Sequence, residues 1–64
     1  MKELIGQNAG LVWQALETGE MEVKAIRKAT KLKVQDLNLA LGWLAREDKI
    51  NFNEVDGELF VSLA

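Results

Sequence analysis

The chain has 64 residues, enough for one domain with a modest hydrophobic core. Nearly half of the residues are hydrophobic, 28% are charged and proline is absent, which excludes a disordered tail and predicts a single compact domain over residues 1–64. Cysteine and histidine are both absent, so disulfides, thiolate metal sites and the usual nucleophile–base pairs are excluded.

The first predicted element is a helix over residues 3–16. Apolar residues recur there at the spacing of one helical face, and they are Ile5, Ala9, Val12 and Leu16. Thr18–Gly19 ends the helix, because glycine can take a left-handed cap. Gly6 and Gly10 weaken the first turns, so a second start is possible at Asn8, whose side chain suits an N-cap.

Two shorter helices follow a link at residues 20–22, where a short third strand is also expected. The second helix stops near Thr30–Lys31, and its apolar residues are Val23, Ile26 and Ala29. The third helix fades out over residues 45–48, and its apolar stripe consists of Val34, Leu37, Ala40, Leu41 and Leu44. Three helices therefore precede the C-terminal segment.

Over the last fifteen residues the apolar period changes from 3.6 to 2, which predicts strands. Asp56–Gly57 is a two-residue sequence typical of hairpin turns with positive φ. A turn there pairs Phe52 with Val61 and Ile50 with Leu63. The predicted core face holds Ile50, Phe52, Leu59, Val61 and Leu63, and the outer face holds Asn51, Asn53, Phe60 and Ser62. A slip of one residue would exchange the two faces, which favours this register.

Charge is distributed unevenly behind the formal net charge of −2. Residues 24–33 contain five basic residues and no acid, namely Lys24, Arg27, Lys28, Lys31 and Lys33. Three basic residues and all ten acids lie elsewhere in the chain. The sequence therefore combines one basic segment with an acidic remainder, and basic clusters of this kind are typical of phosphate contacts.

The order helix, link, helix, tight turn, helix, hairpin is that of the winged helix-turn-helix. Residues 23–34, followed by the apolar stripe of the third helix, resemble the helix-turn-helix core of winged-helix regulators. The run 41–47, Leu-Gly-Trp-Leu-Ala-Arg-Glu, is similar to a family of very small bacterial winged-helix proteins of unassigned function. This resemblance implies an α+β fold, and either DNA reading or protein docking. One departure is Lys31, which stands where such turns often have glycine.

In a helix-turn-helix the second helix crosses the phosphate backbone and the start of the third enters the major groove. The five basic residues of 24–33 would then contact phosphates of double-stranded DNA, and Gln35 and Asn38 would approach base edges. The hairpin tip weighs against this interpretation, since Glu54, Asp56 and Glu58 would be repelled by phosphates. The outward face of the third helix, as mapped at about 100° per residue, is poor in hydrogen-bond donors, and it holds Gln35, Leu39, Gly42, Trp43 and Arg46.

Several apolar side chains have no obvious place in a core this small. Leu39 and Trp43 lie one turn apart on the outward side of the third helix, and with Phe60 they predict a patch for a partner. The alternative is that Trp43 folds under the hairpin and covers the core. The first helix carries Leu4, Leu11 and Trp13 outside its core row, which predicts a second buried side and hence a homodimer. These six residues are the predicted interface.

We therefore expect a non-enzymatic, DNA-associated or transcription-related winged-helix homodimer. The competing hypothesis is a protein-interaction module, using the wing and the Leu39–Trp43 face, that binds no nucleic acid. The ten acids are interpreted as solvated caps and loop residues and not as catalytic carboxylates. No cofactor, metal or membrane contact is expected. The absence of cysteine and of a signal or spanning segment favours the cytoplasm.

Overall fold

A computed structural model describes residues 2–64, with side chains from residue 3 onward. The elements in chain order are α1 (Lys2–Leu16), β1 (Met21–Glu22), α2 (Val23–Thr30), α3 (Val34–Arg46), β2 (Ile50–Val55) and β3 (Glu58–Leu63). Three helices and an antiparallel sheet of order β1-β3-β2 confirm the predicted α+β class, including the short strand near residues 20–22.

Helix α1 is continuous from Lys2, so the suggested start at Asn8 is wrong. Asn8 lies in the middle of the helix and is 7% exposed, which rules out a capping role. The first turns contact the start of α3, where Ile5 and Asn8 line a small cleft together with Leu39. These tertiary contacts stabilise a segment that its two glycines disfavour. The end is as expected, with Gly19 at φ 129° and its N–H donating to the Leu16 carbonyl at 3.0 Å.

The predicted hairpin register is confirmed pair by pair. β2 and β3 are antiparallel, Ile50 lies opposite Leu63 and Phe52 lies opposite Val61. Asp56 and Gly57 form the turn, with φ of 51° and 81°. β1 adds to the other edge of β3, where Met21 is opposite Val61. Glycine and aspartate tolerate these backbone angles better than β-branched residues, so the turn chemistry sets the register.

The core lies between the helices and the helix-proximal end of the sheet. Its buried hydrophobic residues are Ala9, Val12, Leu16, Ile26, Leu37, Ala40, Leu41, Leu44, Ile50 and Val61. All ten belong to the apolar rows predicted from the sequence. The core is small, which fits the size of the chain.

Four predicted core positions are exposed instead. Val34 is the first residue of α3 and is 50% exposed, and Ala29 lies on the solvent side of the short helix α2. Phe52 and Leu59 are on the predicted face of the hairpin but are 46% and 41% exposed. The helices cover the sheet at Ile50 and Val61 and leave its distal part open. Alternation places a side chain on a face and does not determine how far the opposing layer extends.

Candidate nucleic-acid interface

The basic residues of α2 form one solvent-facing surface. Lys24, Arg27, Lys28 and Lys31 recur at intervals of three and four residues, which places them on one side of the helix. Together with Leu32 they line a shallow groove of about 450 Å³. All four basic side chains are exposed. We call this surface, defined by these five residues, the basic groove.

The turn between α2 and α3 is held by hydrogen bonds around Thr30. Its hydroxyl donates to the Ile26 carbonyl at 2.9 Å and accepts from the Leu32 N–H at 3.4 Å. Lys31 ends α2 in the left-handed conformation, with φ 60°, and its N–H donates to the Arg27 carbonyl at 2.8 Å. The turn is therefore tight despite the absence of glycine, at the cost of an unfavourable backbone angle for lysine.

The start of α3 follows directly from this turn. Lys33 is the N-cap of α3 in an extended conformation, and its carbonyl accepts the Leu37 N–H at 2.9 Å. Lys33, Gln35 and Asn38 are all exposed, so their charged or amide groups are free to meet a ligand. Of the seven predicted nucleic-acid contacts, four line the basic groove and these three lie on the adjoining N-terminal part of α3.

The wing presents the opposite charge next to this surface. Glu58, at the hairpin tip, lines a cleft of about 230 Å³ together with Glu22 and Lys24. A side-chain hydrogen bond with Glu58 raises the pKa of Glu22; desolvation and the Glu58 charge act in the same direction, and Lys24 opposes them. The carboxyl groups of Glu22 and Glu58 thus lie in a cleft next to the basic groove, where they partly offset the positive charge of Lys24.

The predicted interface residues divide between two clefts beside α1. Trp13 and Trp43 line a cleft of about 470 Å³ between α1 and α3 and are 39% and 40% exposed. Leu4 and Leu39 line a second cleft of about 250 Å³ at the start of both helices and are 52% and 41% exposed. Trp43 therefore packs beside α1, and the alternative that it lies under the hairpin is wrong.

The remaining two interface candidates lie apart from both clefts. Leu11 is 45% exposed on α1 and lines neither cleft. Phe60 is half-buried on β3, opposite Asn53 and Glu22, and also lines neither cleft. Phe60 thus lines neither of the clefts that Leu39 and Trp43 line.

Two features of these surfaces escaped the sequence analysis. Gly6 and Gly10 line the cleft between the tryptophans, and their spacing of four in an apolar helix was the available signal. The contact between Glu22 and Glu58 depends on β1 pairing with β3, and a two-residue strand leaves too little pattern to predict its register.

Other classes of site find no support in the described part of the chain. Over residues 2–64, no group of three or more acidic side chains lies close enough to hold a metal ion. None of the helices described is both long and apolar enough to cross a membrane.

Comparisons with known proteins agree with the fold. Residues 1–63 match the family model described as "Winged helix-turn-helix domain (DUF2582)". The uncharacterized protein MJ1608 of Methanocaldococcus jannaschii is 43% identical in an alignment of 49 residues that covers 72% of this chain and 70% of that protein.

Two solved structures are similar over almost the whole chain. The solution NMR structure of protein BT2368 from Bacteroides thetaiotaomicron has a TM-score of 0.87 and 33% identity, and covers 97% of this chain and 77% of its own. HlyU from Vibrio cholerae has a TM-score of 0.74 over 98% of this chain and 75% of its own, at 20% identity, which shows the fold alone.

Proposed function

The chain belongs to the winged helix-turn-helix family DUF2582, and on that premise we propose that it is a DNA-associated, transcription-related protein that contacts phosphates through α2. The single observation that carries this proposal is the basic groove. Four basic side chains from one helix and its cap line it, and α3 begins three residues after Lys31. In the helix-turn-helix, α2 crosses the backbone and α3 enters the major groove, so the positive charge lies where phosphates would be.

The contacts are expected to differ in kind along this surface. Lys24, Arg27, Lys28, Lys31 and Lys33 would pair with phosphates, which fixes orientation without reading sequence. Gln35 and Asn38 are the two amides on the exposed start of α3, and such side chains can bind adenine edges through two hydrogen bonds. With so few donors, affinity should depend mostly on charge, and sequence preference should be weak.

We also propose that the protein acts as a homodimer. The predicted interface residues Leu4, Leu11, Trp13, Leu39 and Trp43 remain exposed in the single chain, and four of them line the two clefts beside α1. A two-fold pair would cover apolar surface and carry two basic grooves on one particle. Dimeric helix-turn-helix proteins place two α3 helices on successive turns of the duplex in this way.

The proposed role is one of binding, without catalysis. A chain with no histidine or cysteine lacks the residues that most often serve as general bases and activated nucleophiles. A cysteine-free protein that binds DNA also fits the reducing cytoplasm, where we place its action.

The experiment is a salt-titrated measurement of binding to random duplex DNA, using fluorescence anisotropy. Five phosphate contacts predict a slope of log K against log salt of about −4 to −5. Reversing two charges with Lys28→Glu and Lys33→Glu should reduce affinity at low salt by at least about 100-fold and flatten the slope. Arg46→Glu reverses one charge, half of that change, at the far end of α3, and it should have much less than half of the effect on the logarithm of the affinity.

A wild-type protein with no measurable affinity in dilute buffer would reject the DNA proposal. The alternative, a protein-interaction module, is favoured by one specific observation. Phe52, Val55 and Leu59 are exposed on a wing that also carries acids, which is a surface unsuited to phosphates. Equal loss of DNA binding in Arg46→Glu and in the double variant would also count against the basic groove as the contact.

A further inference from the structure

We infer that a second copy of this chain docks in the cleft between α1 and α3, with the backbone of α1 at Gly6 and Gly10 forming the contact floor. We call this cleft the tryptophan groove; besides the two glycines it is lined by Ala9, Trp13, Trp43 and Leu44, with Gln14, Glu17, Glu47 and Lys49 around them. The inference rests on the homodimer of the proposed function and names its contact surface.

Gly6 and Gly10 have no packing neighbour among the described residues that would require glycine at these positions. Both lie within α1, where glycine is the least favourable residue after proline. Neither has a positive φ, and a Cβ built at either position would meet no atom of the described residues within 4 Å beyond the neighbouring backbone of its own helix. Gly42 of α3 shares these properties, so what distinguishes Gly6 and Gly10 is that both line the groove with the tryptophans. Glycine at those positions lets another backbone approach α1 closely from outside.

Trp13 and Trp43 also indicate that this groove is a contact surface. They are the only tryptophans of the chain, and both line the groove that contains the glycines. Each is close to 40% exposed in the single chain. Tryptophan in a partly open apolar cleft is the residue type most enriched among the strongest contacts of protein interfaces. A partner seated here would bury both indoles.

The total surface is consistent with a partner. A compact monomeric protein of 7.2 kDa is expected to expose about 4,100 Å² of surface. The solvent-accessible surface area of this chain is 4570 Å². The excess is in the direction expected for a subunit whose contact surface is uncovered.

The mixed charge around the tryptophan groove favours a second copy of this chain over a partner that carries charge of a single sign. The polar residues of the groove include two acids, Glu17 and Glu47, and one base, Lys49. In a two-fold contact the same surface meets itself, so a surface of one charge would repel its copy whereas a mixed one can pair acid with base. The tryptophan groove also shares no residue with the basic groove, so docking there leaves Lys24 and Lys28 free.

The test combines Gly6→Ala and Gly10→Ala in one variant and measures dimerisation by sedimentation velocity without DNA. Added methyl groups should hold the two copies apart and raise the dimer dissociation constant at least about tenfold, a change equal to 1.4 kcal/mol. At concentrations where the protein is monomeric, the same variant should melt at a higher temperature, because alanine favours the helix. The two effects have opposite signs, which a purely structural role of the glycines does not predict.

Gly42→Ala is the matched control. Gly42 is also a helical glycine whose built Cβ would meet no atom within 4 Å in the part of the chain that the structure describes, and it does not line the groove. The substitution Gly42→Ala should raise the melting temperature and leave the dissociation constant of the dimer unchanged. Intrinsic fluorescence gives a second readout, since both emitting indoles are in the groove. Emission should shift to shorter wavelength as the wild-type protein is concentrated.

A wild-type protein that stays monomeric up to about 1 mM overturns the inference, since contacts weaker than this would not form a functional pair. A dimer whose dissociation constant is the same in the double glycine variant and in wild type also overturns it, and assigns the contact to another face. Neither result bears on phosphate binding by the basic groove, which is measured separately. Loss of DNA binding with an intact glycine-dependent dimer would reject the DNA proposal and leave this inference standing.

Discussion

The basic groove and the tip of the wing carry opposite charges, although the two regions lie next to each other. The basic groove consists of exposed lysine and arginine side chains on α2. The wing tip carries Glu54, Asp56 and Glu58, all exposed, and Glu58 shares a cleft with Lys24. In a winged helix whose wing binds DNA, both surfaces would need the same sign.

The charge of the wing is independent of the features that fold it. The turn at residues 56–57 needs backbone geometry that aspartate and glycine supply, and it places no demand on the charge of the wing. The wing contributes Ile50 and Val61 to the core while its distal part stays acidic. Under the proposed function, we expect the wing to support the fold and DNA contact to be confined to α2 and the start of α3.

Among the changes that test this difference between the groove and the wing, the largest expected effect comes from reversing the charge of the wing. Glu54→Lys with Glu58→Lys should strengthen binding to random duplex DNA by about tenfold or more in dilute salt, because the tip lies within a Debye length of Lys24. The neutral pair Glu54→Gln and Glu58→Gln should give an intermediate value in the same anisotropy assay. Unchanged affinity across this series would mean that the wing tip is remote from bound DNA.

A smaller effect is expected at the turn between α2 and α3. Lys31→Gly removes the strain of a left-handed lysine and should raise the free energy of unfolding by about 1 kcal/mol. The same change deletes one phosphate contact and should reduce the salt slope by about 1. Chemical denaturation and the DNA titration measure the two quantities. A variant that is less stable than wild type would show that the lysine side chain supports the turn by contacts of its own.

The smallest effect concerns the pair of acids formed by Glu22 of β1 and Glu58 of the wing. The pKa of Glu22 is raised in the folded protein, so the folded state binds its proton more tightly and stability falls as the pH rises from about 4.5 through the raised pKa. Glu58→Gln removes the repulsion and should raise the melting temperature at pH 7. The gain should vanish near pH 3.5, below the ordinary glutamate pKa of 4.5, because the Glu22 carboxyl is already protonated there in the wild type. An equal gain at both pH values would contradict the assignment.

The sequence predicted the fold wherever a local pattern carried the information. The 3.6-residue period located three helices, and Asp56–Gly57 determined the pairing of Phe52 with Val61. All ten buried hydrophobic residues lie on predicted apolar rows. The basic residues were also visible as a run, and helical spacing alone puts Lys24, Arg27 and Lys28 on one face.

Sequence alone could not determine how far one layer covers another. Phe52 and Leu59 follow the pattern of core residues and are exposed, because the helices end before they reach the distal wing. Asn8 looked like a cap and lies buried within a helix that packing extends to Lys2.

The sequence by itself determined the elements, the hairpin register and the grouping of positive charge, since each depends on residues close together in the chain. The tertiary structure alone decided that Trp13 and Trp43 share a cleft with two glycines and that Glu58 lies beside Lys24. These juxtapositions join residues about thirty positions apart. Local periodicity places a side chain on one face of its own element, whereas the residues that it contacts in other elements depend on how the elements pack.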